Sequence, residues 1–195
     1  MATLIQLAIG ISLAGACGCR LFVTLLVLAA STIMGRITLE GSWITHPQTI
    51  VILILGTVIE VMAFYRPRLD NLMDAIALPS AVIGGVMIMA SVAYSLPLPW
   101  RWLVAVVWGG GIALILQSAS TLIRAQLTTC SGGVNNGLFA TIELAAALGI
   151  TLMVLLEPRI TAIAVLVLVG FALRYLYVQI KERYDKRTKT ESVIR

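Results

Sequence analysis

Residues 3–34 read TLIQLAIGISLAGACGCRLFVTLLVLAASTIM, and Arg20 is the only charged side chain in the stretch. The hydrocarbon core of a bilayer is about 30 Å thick and is crossed by about 20 apolar residues at about 1.5 Å each. The stretch exceeds that length. It lacks the basic leader of a secretory signal and is far longer than the roughly 7–15 apolar residues of a signal core, so it is expected to be retained as a membrane segment. The cluster Gly15-Ala16-Cys17-Gly18-Cys19 predicts that the helix running from Leu4 to Met34 is tilted, bent or broken there.

The rest of the chain agrees with this opening. Of 195 residues, 59% are hydrophobic and 12% charged, and the mean hydropathy is +0.99, values far from those of soluble domains. Five further apolar segments follow: Ile50 to Tyr65, Leu72 to Ser95 around Pro79, Trp102 to Ile123 with Gly109-Gly110-Gly111, Leu138 to Leu156, and Ile160 to Ile180. Gly41 and Pro47, Arg66-Pro67-Arg68, Pro97 and Pro99, Ser131 to Gly137, and Glu157-Pro158-Arg159 separate them as short connections. No segment alternates with period two, and each is longer than a barrel strand. The expected fold class is therefore all-α: a polytopic helical membrane protein of about six transmembrane helices in residues 1–180, followed by a basic tail at 181–195.

Charge placement sets the expected topology. Lys181, Arg183, Lys186, Arg187, Lys189 and Arg195 lie in the tail, and with six spans they share a face with Arg66, Arg68 and Arg124, against Arg36, Arg101 and Arg159 opposite. This bias puts both termini in the cytoplasm, although without the tail the two faces are equal. Trp43, Trp100, Trp102, Tyr65, Tyr94 and Tyr184 fall near segment ends, where an interfacial belt would sit. Because the tail interleaves Glu182, Asp185 and Glu191 with its basic residues and directly follows an apolar segment, it speaks for topology and against nucleic acid as a partner.

Little in the chain points to catalysis. Cys17, Cys19 and Cys130 are odd in number, without CxxC spacing, and His46 is the only histidine, so neither a zinc site nor a disulfide framework is expected. GxSxG, HExxH, Walker and GxGxxG signatures are absent from the sequence. The expectation is a non-enzymatic protein with no metal and no cofactor.

Ionisable residues within apolar segments carry the functional signal, since each costs several kcal/mol to insert. Arg20, Glu60, Asp74, Arg124, Glu143 and Arg174 are such positions. Arg20 follows small residues that permit close helix approach, and it is expected to pair with Glu60 or Glu143 inside the bundle, as a substrate site or as a structural tie. Arg174 reads as snorkelling toward the tail. Asp70 and Asp74 lie one helical turn apart, as a cation or proton site or as a helix cap with an acidic first turn. The pair also resembles half of the acidic motif of intramembrane prenyl transferases, without a second cluster. From Gln117 to Asn136 the chain is unusually polar and ends near Asn135, which predicts either a re-entrant element lining a cavity or an amphipathic helix end and surface loop.

The two halves, 1–95 and 100–180, share features in order: glycines at 10–18 and 109–111, Ile59-Glu60 and Ile142-Glu143, Pro67-Arg68 and Pro158-Arg159. Three spans per half would make an inverted repeat with broken or re-entrant segments. Against it, Glu60 lies near the end of its segment and Glu143 near the start of its own.

Taken together, Ala14-Gly15-Ala16-Cys17-Gly18-Cys19-Arg20-Leu21-Phe22, Ile59-Glu60, Asp70-Asn71-Leu72-Met73-Asp74 with Pro79, and Ser131-Gly132-Gly133-Val134-Asn135-Asn136 before Thr141-Ile142-Glu143 resemble the DUF4126 family of uncharacterised bacterial membrane proteins. The resemblance covers roughly residues 10 to 158. Thr24, Tyr65-Arg66-Pro67 and Asn136 depart from the family pattern. It implies a multi-span protein of the bacterial inner membrane with a repeated core, and no established activity.

Two functions follow as expectations. One is a small transporter or channel in which Arg20, Glu60 and Glu143, with Asp70, Asp74, Arg124 and Asn135 as further candidates, form a buried polar site gated by the Ser131–Gly137 loop. The other is a structural or assembly subunit that packs with membrane proteins or lipids. Membrane lipids are the expected surroundings, a homodimer or a membrane-protein partner fits either function, and the ligand stays open.

Overall fold

The computed structural model describes residues 2–64, 67–131 and 136–194, and it describes side chains for 3–63, 76–130 and 136–184. Eight α-helices and one π-helical segment account for nearly all of them: α1 (Ala2–Cys19), α2 (Leu21–Ile33), α3 (Pro47–Phe64), α4 (Pro67–Val92), α5 (Leu98–Val104), the π-segment Ala105–Gly110, α6 (Gly111–Ser131), α7 (Asn136–Leu156) and α8 (Pro158–Ile194). No strand occurs among the described residues.

The residue sizes on α1 explain why it becomes the axis of the bundle. It packs against α4, α6, α7 and α8 at once. Leu13, Ala14, Ala16 and Cys17 are wholly buried. With glycines on several sides, neighbouring backbones come close. A Cβ added at Gly18 would lie 2.9 Å from the Ala113 carbonyl oxygen on α6, and one at Gly15 would lie 2.5 Å from Val165 Cγ1 on α8. Small residues promote such contacts in membranes because packing, rather than water, drives helix association there.

The tightest crossing joins α4 to the π-segment. A Cβ at Gly85 would meet the Gly109 carbonyl oxygen at 2.5 Å, and a Cβ at Gly109 would meet the Gly85 carbonyl oxygen at the same distance. Backbone is thus pressed on backbone. Gly109→Ala is expected to destabilise the protein by about 1–3 kcal/mol through overpacking. Gly111→Ala, two residues away with nothing within 4 Å, is expected to be neutral or to stabilise by about 0.5–1 kcal/mol. Thermal unfolding of the two variants in detergent checks the contrast, and equal loss in both would refute the crossing as a constraint.

The segment between α2 and α3 closes one end of the bundle. Gly35 (φ +69°) and Gly41 (φ +86°) turn the chain in a region that side chains avoid, and Ile37 and Ile44 insert into the core. The Glu40 amide donates to the Ser91 carbonyl oxygen (2.9 Å), Trp43 Nε1 donates to Ser91 Oγ (3.1 Å), and Arg101 pairs with Glu40 while its Nε donates to the Ala90 carbonyl oxygen (2.6 Å).

The outside of the bundle is apolar. Val51, Ile52, Leu55, Val58, Ile59 and Met62 of α3 are exposed, as are Ile163, Val167 and Phe171 of α8. Such faces are suited to hydrocarbon as the surrounding solvent.

Among the described residues, three helical stretches, Leu98–Cys130, Asn136–Leu156 and Pro158–Tyr184, are long and apolar enough to cross a membrane, and Thr3–Cys19, Leu21–Ile33, Pro47–Ala63 and Ile76–Val92 are shorter apolar helices. That is fewer than the six spans expected. One reason is visible in the first segment, which divides at Arg20 into helices of 18 and 13 residues. Other boundaries shift outward. The segment expected from Trp102 begins at Leu98 and runs through the π-segment to Ser131, and the last helix continues through the basic tail to Ile194.

Candidate functional site

The site begins with a single extended residue. Arg20 has φ −148° and ψ 110°, which takes the chain out of the helix between α1 and α2. Its amide still donates to the Ala16 carbonyl oxygen (2.9 Å), closing α1, and its own carbonyl accepts from the Thr24 amide (3.3 Å) and from Thr24 Oγ1 (2.6 Å). A new helix start leaves amide groups without intrahelical partners. Here they find Glu60 of α3: Leu21 N–H donates to Oε1 (3.0 Å), and the Phe22 and Val23 N–H groups donate to Oε2 (3.1 and 3.3 Å). Glu60 is 6% exposed. A carboxylate from another helix therefore caps α2, its charge set against the positive end of the helix dipole.

Arg20 turns the other way, toward α6 and α7. Its Nη2 reaches Glu143 Oε2 (3.0 Å) and the Ala140 carbonyl oxygen (3.2 Å). Arg124 of α6 also pairs with Glu143 Oε2, and Ser120 Oγ donates to Glu143 Oε1. Arg20, Arg124 and Glu143 are all at least 95% buried. The Arg124 guanidinium also lies 5.9 Å from the centroid of Phe139, close enough for a cation–π contact. Two guanidinium groups and a hydroxyl thus converge on one carboxylate.

The helical register explains why α6 can supply these groups. Gln117, Ser120, Arg124 and Thr128 fall at helical spacing on one face, and Gln117, Ser120 and Arg124 are buried. Of the two expectations for the polar stretch, the helical one holds as far as Ser131; residues 132–135, Asn135 among them, lie outside the described residues. Thr128 Oγ1 accepts from Asn136 Nδ2 (2.7 Å) at the start of α7.

Other expectations change in detail. The two alternatives for Arg20 separate: Glu143 takes the ion pair, while Glu60 binds backbone. Asp70 lies three residues inside α4, which starts at Pro67, and so is not its cap; the side chains of Asp70 and Asp74 lie outside the described residues. Ser120 stands in the sequence only as part of the polar stretch, and Cys19 only in the weighing of zinc and disulfide chemistry and within the family motif; the structure sets both beside the cluster. A hydroxyl one turn before an intramembrane arginine was the available signal for Ser120, whereas nothing in sequence marks Cys19 as a wall residue.

Among the described residues, two hollows lie beside the cluster and Cys19 borders both. A small cavity of about 30 Å³ lies beside Glu60, Gln117 and Ser80, and Gln117 Nε2 is buried without a hydrogen-bond acceptor. The space suffices for one water with several polar partners. The larger is a cleft of about 400 Å³ between α6, α7 and α8, lined almost wholly by apolar surface, with Leu116, Ile150, Leu168 and Phe171 among its walls and Ser120 and Glu143 beside them.

These features define a class: a helical membrane-type protein whose first apolar segment is interrupted at a buried Arg–Glu cluster beside an apolar cleft. The chain matches the family described as Domain of unknown function (DUF4126) over residues 7–177, and it belongs to that family. No curated protein and no solved structure matches it significantly.

Proposed function

We propose that this chain is a small transporter or channel-like protein of the bacterial inner membrane, with the Arg20–Arg124–Glu143 cluster as its working site. One observation carries the reading: the helix break at Arg20 lies inside the bundle, at the point where Arg20 meets Glu143 of α7 and, through it, Arg124 of α6. Transporters build midplane sites from such discontinuous helices, because an interrupted backbone is tolerated in a membrane only where protein or a cavity satisfies it.

In this reading the chain spans the bilayer six times, α1 and α2 together forming the first span, with both termini cytoplasmic. An inverted repeat gains some support from the interruption of the first span in each half, at Arg20 in one and at the π-segment Ala105–Gly110 in the other. π-Turns often accompany functional sites. The site binds and releases rather than catalyses.

The test is flux in proteoliposomes across a panel of inorganic ions and small amphiphiles. Ser120→Ala and Arg124→Lys keep the net charge of the cluster and are expected to alter flux of the transported species at least about tenfold, a change of about 1.4 kcal/mol in barrier, while the protein stays folded and monodisperse. Flux identical to wild type in both variants would remove the cluster from the pathway. The saturation of Glu143 by three donors favours a second reading, a structural subunit with an internal ionic tie, which predicts no flux and a fixed membrane-protein partner on purification.

A further inference from the structure

The three stretches that are long and apolar enough to cross a membrane meet at the cleft of about 400 Å³ between α6, α7 and α8. Leu116, Phe139, Ile150, Leu168 and Phe171 make its walls almost wholly apolar. Leu168 and Phe171 are also exposed side chains, at 46% and 68%. An apolar cavity of about 150 Å³ already stays dry and takes up an apolar guest. A larger hollow of the same character, set among membrane-crossing helices, takes hydrocarbon from its surroundings.

The length of the cleft selects the source. Along α7 its lining runs from Phe139 to Ile150, a rise of about 16 Å, and half of the hydrocarbon core of a bilayer is about 15 Å. Along α8 it runs from Leu168, near the middle of the Pro158–Tyr184 stretch, to Tyr175 nearer the end of that stretch. The cleft thus covers one leaflet, from the midplane toward the C-terminal end of α8. At that end the Tyr175 hydroxyl donates to Gln126 Oε1 (2.7 Å) and fastens α8 to α6.

Charge selects the headgroup. Past Tyr175, α8 carries exposed Lys181 and Arg183, with exposed Glu182 between them. Arg183 stands about 18 Å along the helix from the middle of its stretch, within a headgroup layer that reaches about 20–22 Å from the midplane. Residues 111–142, from the start of α6 into α7, contain neither Asp nor Glu, so the helices facing α8 add no carboxylate at this end. From 181 onward the chain holds six basic and three acidic residues. Each basic residue near a membrane surface strengthens the hold on anionic lipid by about fivefold.

We infer that the cleft seats an anionic phospholipid from the leaflet at the C-terminal end of α8, with one acyl chain between α6, α7 and α8 and its phosphate held by Lys181 and Arg183. The inference rests on the membrane reading of the fold and is independent of transport.

The experiment uses the full chain in phosphatidylcholine nanodiscs doped with a phosphatidylglycerol that bears a diazirine near the end of one acyl chain, followed by mapping of the labelled residues. Labelling is expected at the deep end of the cleft, around Leu116, Ile150 and Leu168. Unlabelled phosphatidylglycerol should compete at least about tenfold better than phosphatidylcholine with the same chains. Lys181→Gln combined with Arg183→Gln, both at exposed positions, should erase that preference in a folded protein. Ala146→Phe, which fills the cleft from a half-buried position, should abolish the labelling; should that variant not fold, the competition and the charge variant decide between the outcomes.

Equal competition by the two lipids would overturn the inference, and so would a preference that survives the loss of Lys181 and Arg183. Labels on the exposed face of α3 instead of the cleft would place the chain elsewhere, and cross-links between two copies through the cleft would give it to a second protein chain. Cleft labelling without flux of any panel member would sink the transport reading and leave the lipid seat standing; flux without cleft labelling would do the reverse.

Discussion

Replacing Glu143 with glutamine is expected to destabilise the bundle by about 3–5 kcal/mol, the cost of breaking a buried ion pair by removing one partner. The carboxylate accepts from Arg20, Arg124 and Ser120, and an amide would offer one oxygen and no charge to two buried guanidinium groups. The direction should reverse when the whole cluster is removed together. A triple variant, Arg20→Met, Arg124→Met and Glu143→Leu, leaves no ion without its partner within the cluster and is expected to recover most of the stability, as buried ionic groups replaced by apolar ones often do. Thermal melts of the single and triple variants read this directly. If the triple variant melts no higher than Glu143→Gln, the three side chains do not form the energetic unit that their geometry describes. If it melts near wild type yet carries no flux, the ions serve function and not stability.

The second large effect concerns Glu60. Glu60→Ala withdraws the acceptor from three amides at the start of α2, and at about 1–3 kcal/mol for each buried group left unsatisfied the expected loss is at least about 3 kcal/mol, less whatever water recovers from the adjoining cavity. Glu60→Gln keeps one oxygen and the side-chain length, and should fall between. The distinctive readout is local: hydrogen exchange should accelerate at Leu21, Phe22 and Val23 before the rest of α2. Uniform acceleration along the bundle would mean that Glu60 supports the fold generally instead of capping one helix.

Composition made the helical membrane class legible, because apolar runs with few charges leave little alternative once each backbone group must be satisfied within its own segment. Arg20 and Glu143 were legible for a related reason: an ion pair is the least costly way to place either in an apolar segment. What sequence could not decide was which carboxylate the arginine meets. Glu60 and Glu143 carry the same chemistry, and the choice depends on the backbone at Arg20, which turns the amides of α2 toward one and the guanidinium toward the other. The break after Cys19 was legible in the small-residue cluster Gly15–Cys19, although hydropathy by itself runs past a single residue leaving the helix. The polar face of α6 was legible only as one of two alternatives, because an amphipathic helix and a re-entrant loop can draw on the same residues and differ in backbone conformation.

The jointed form of the first apolar segment has a mechanical consequence. The upper rod, α1, is gripped by α4, α6, α7 and α8, whereas α2 rests chiefly on α3 and α7 and takes its starting point from a side chain of α3. The two rods are consecutive in the chain, yet each is steered by different neighbours, with the peptide at Arg20 as the swivel between them. A sideways displacement of α3 would therefore be transmitted to α2 through the Glu60 latch while α1 stays still, and because Arg20 is part of the swivel, the same movement would pull on its guanidinium and alter its grip on Glu143.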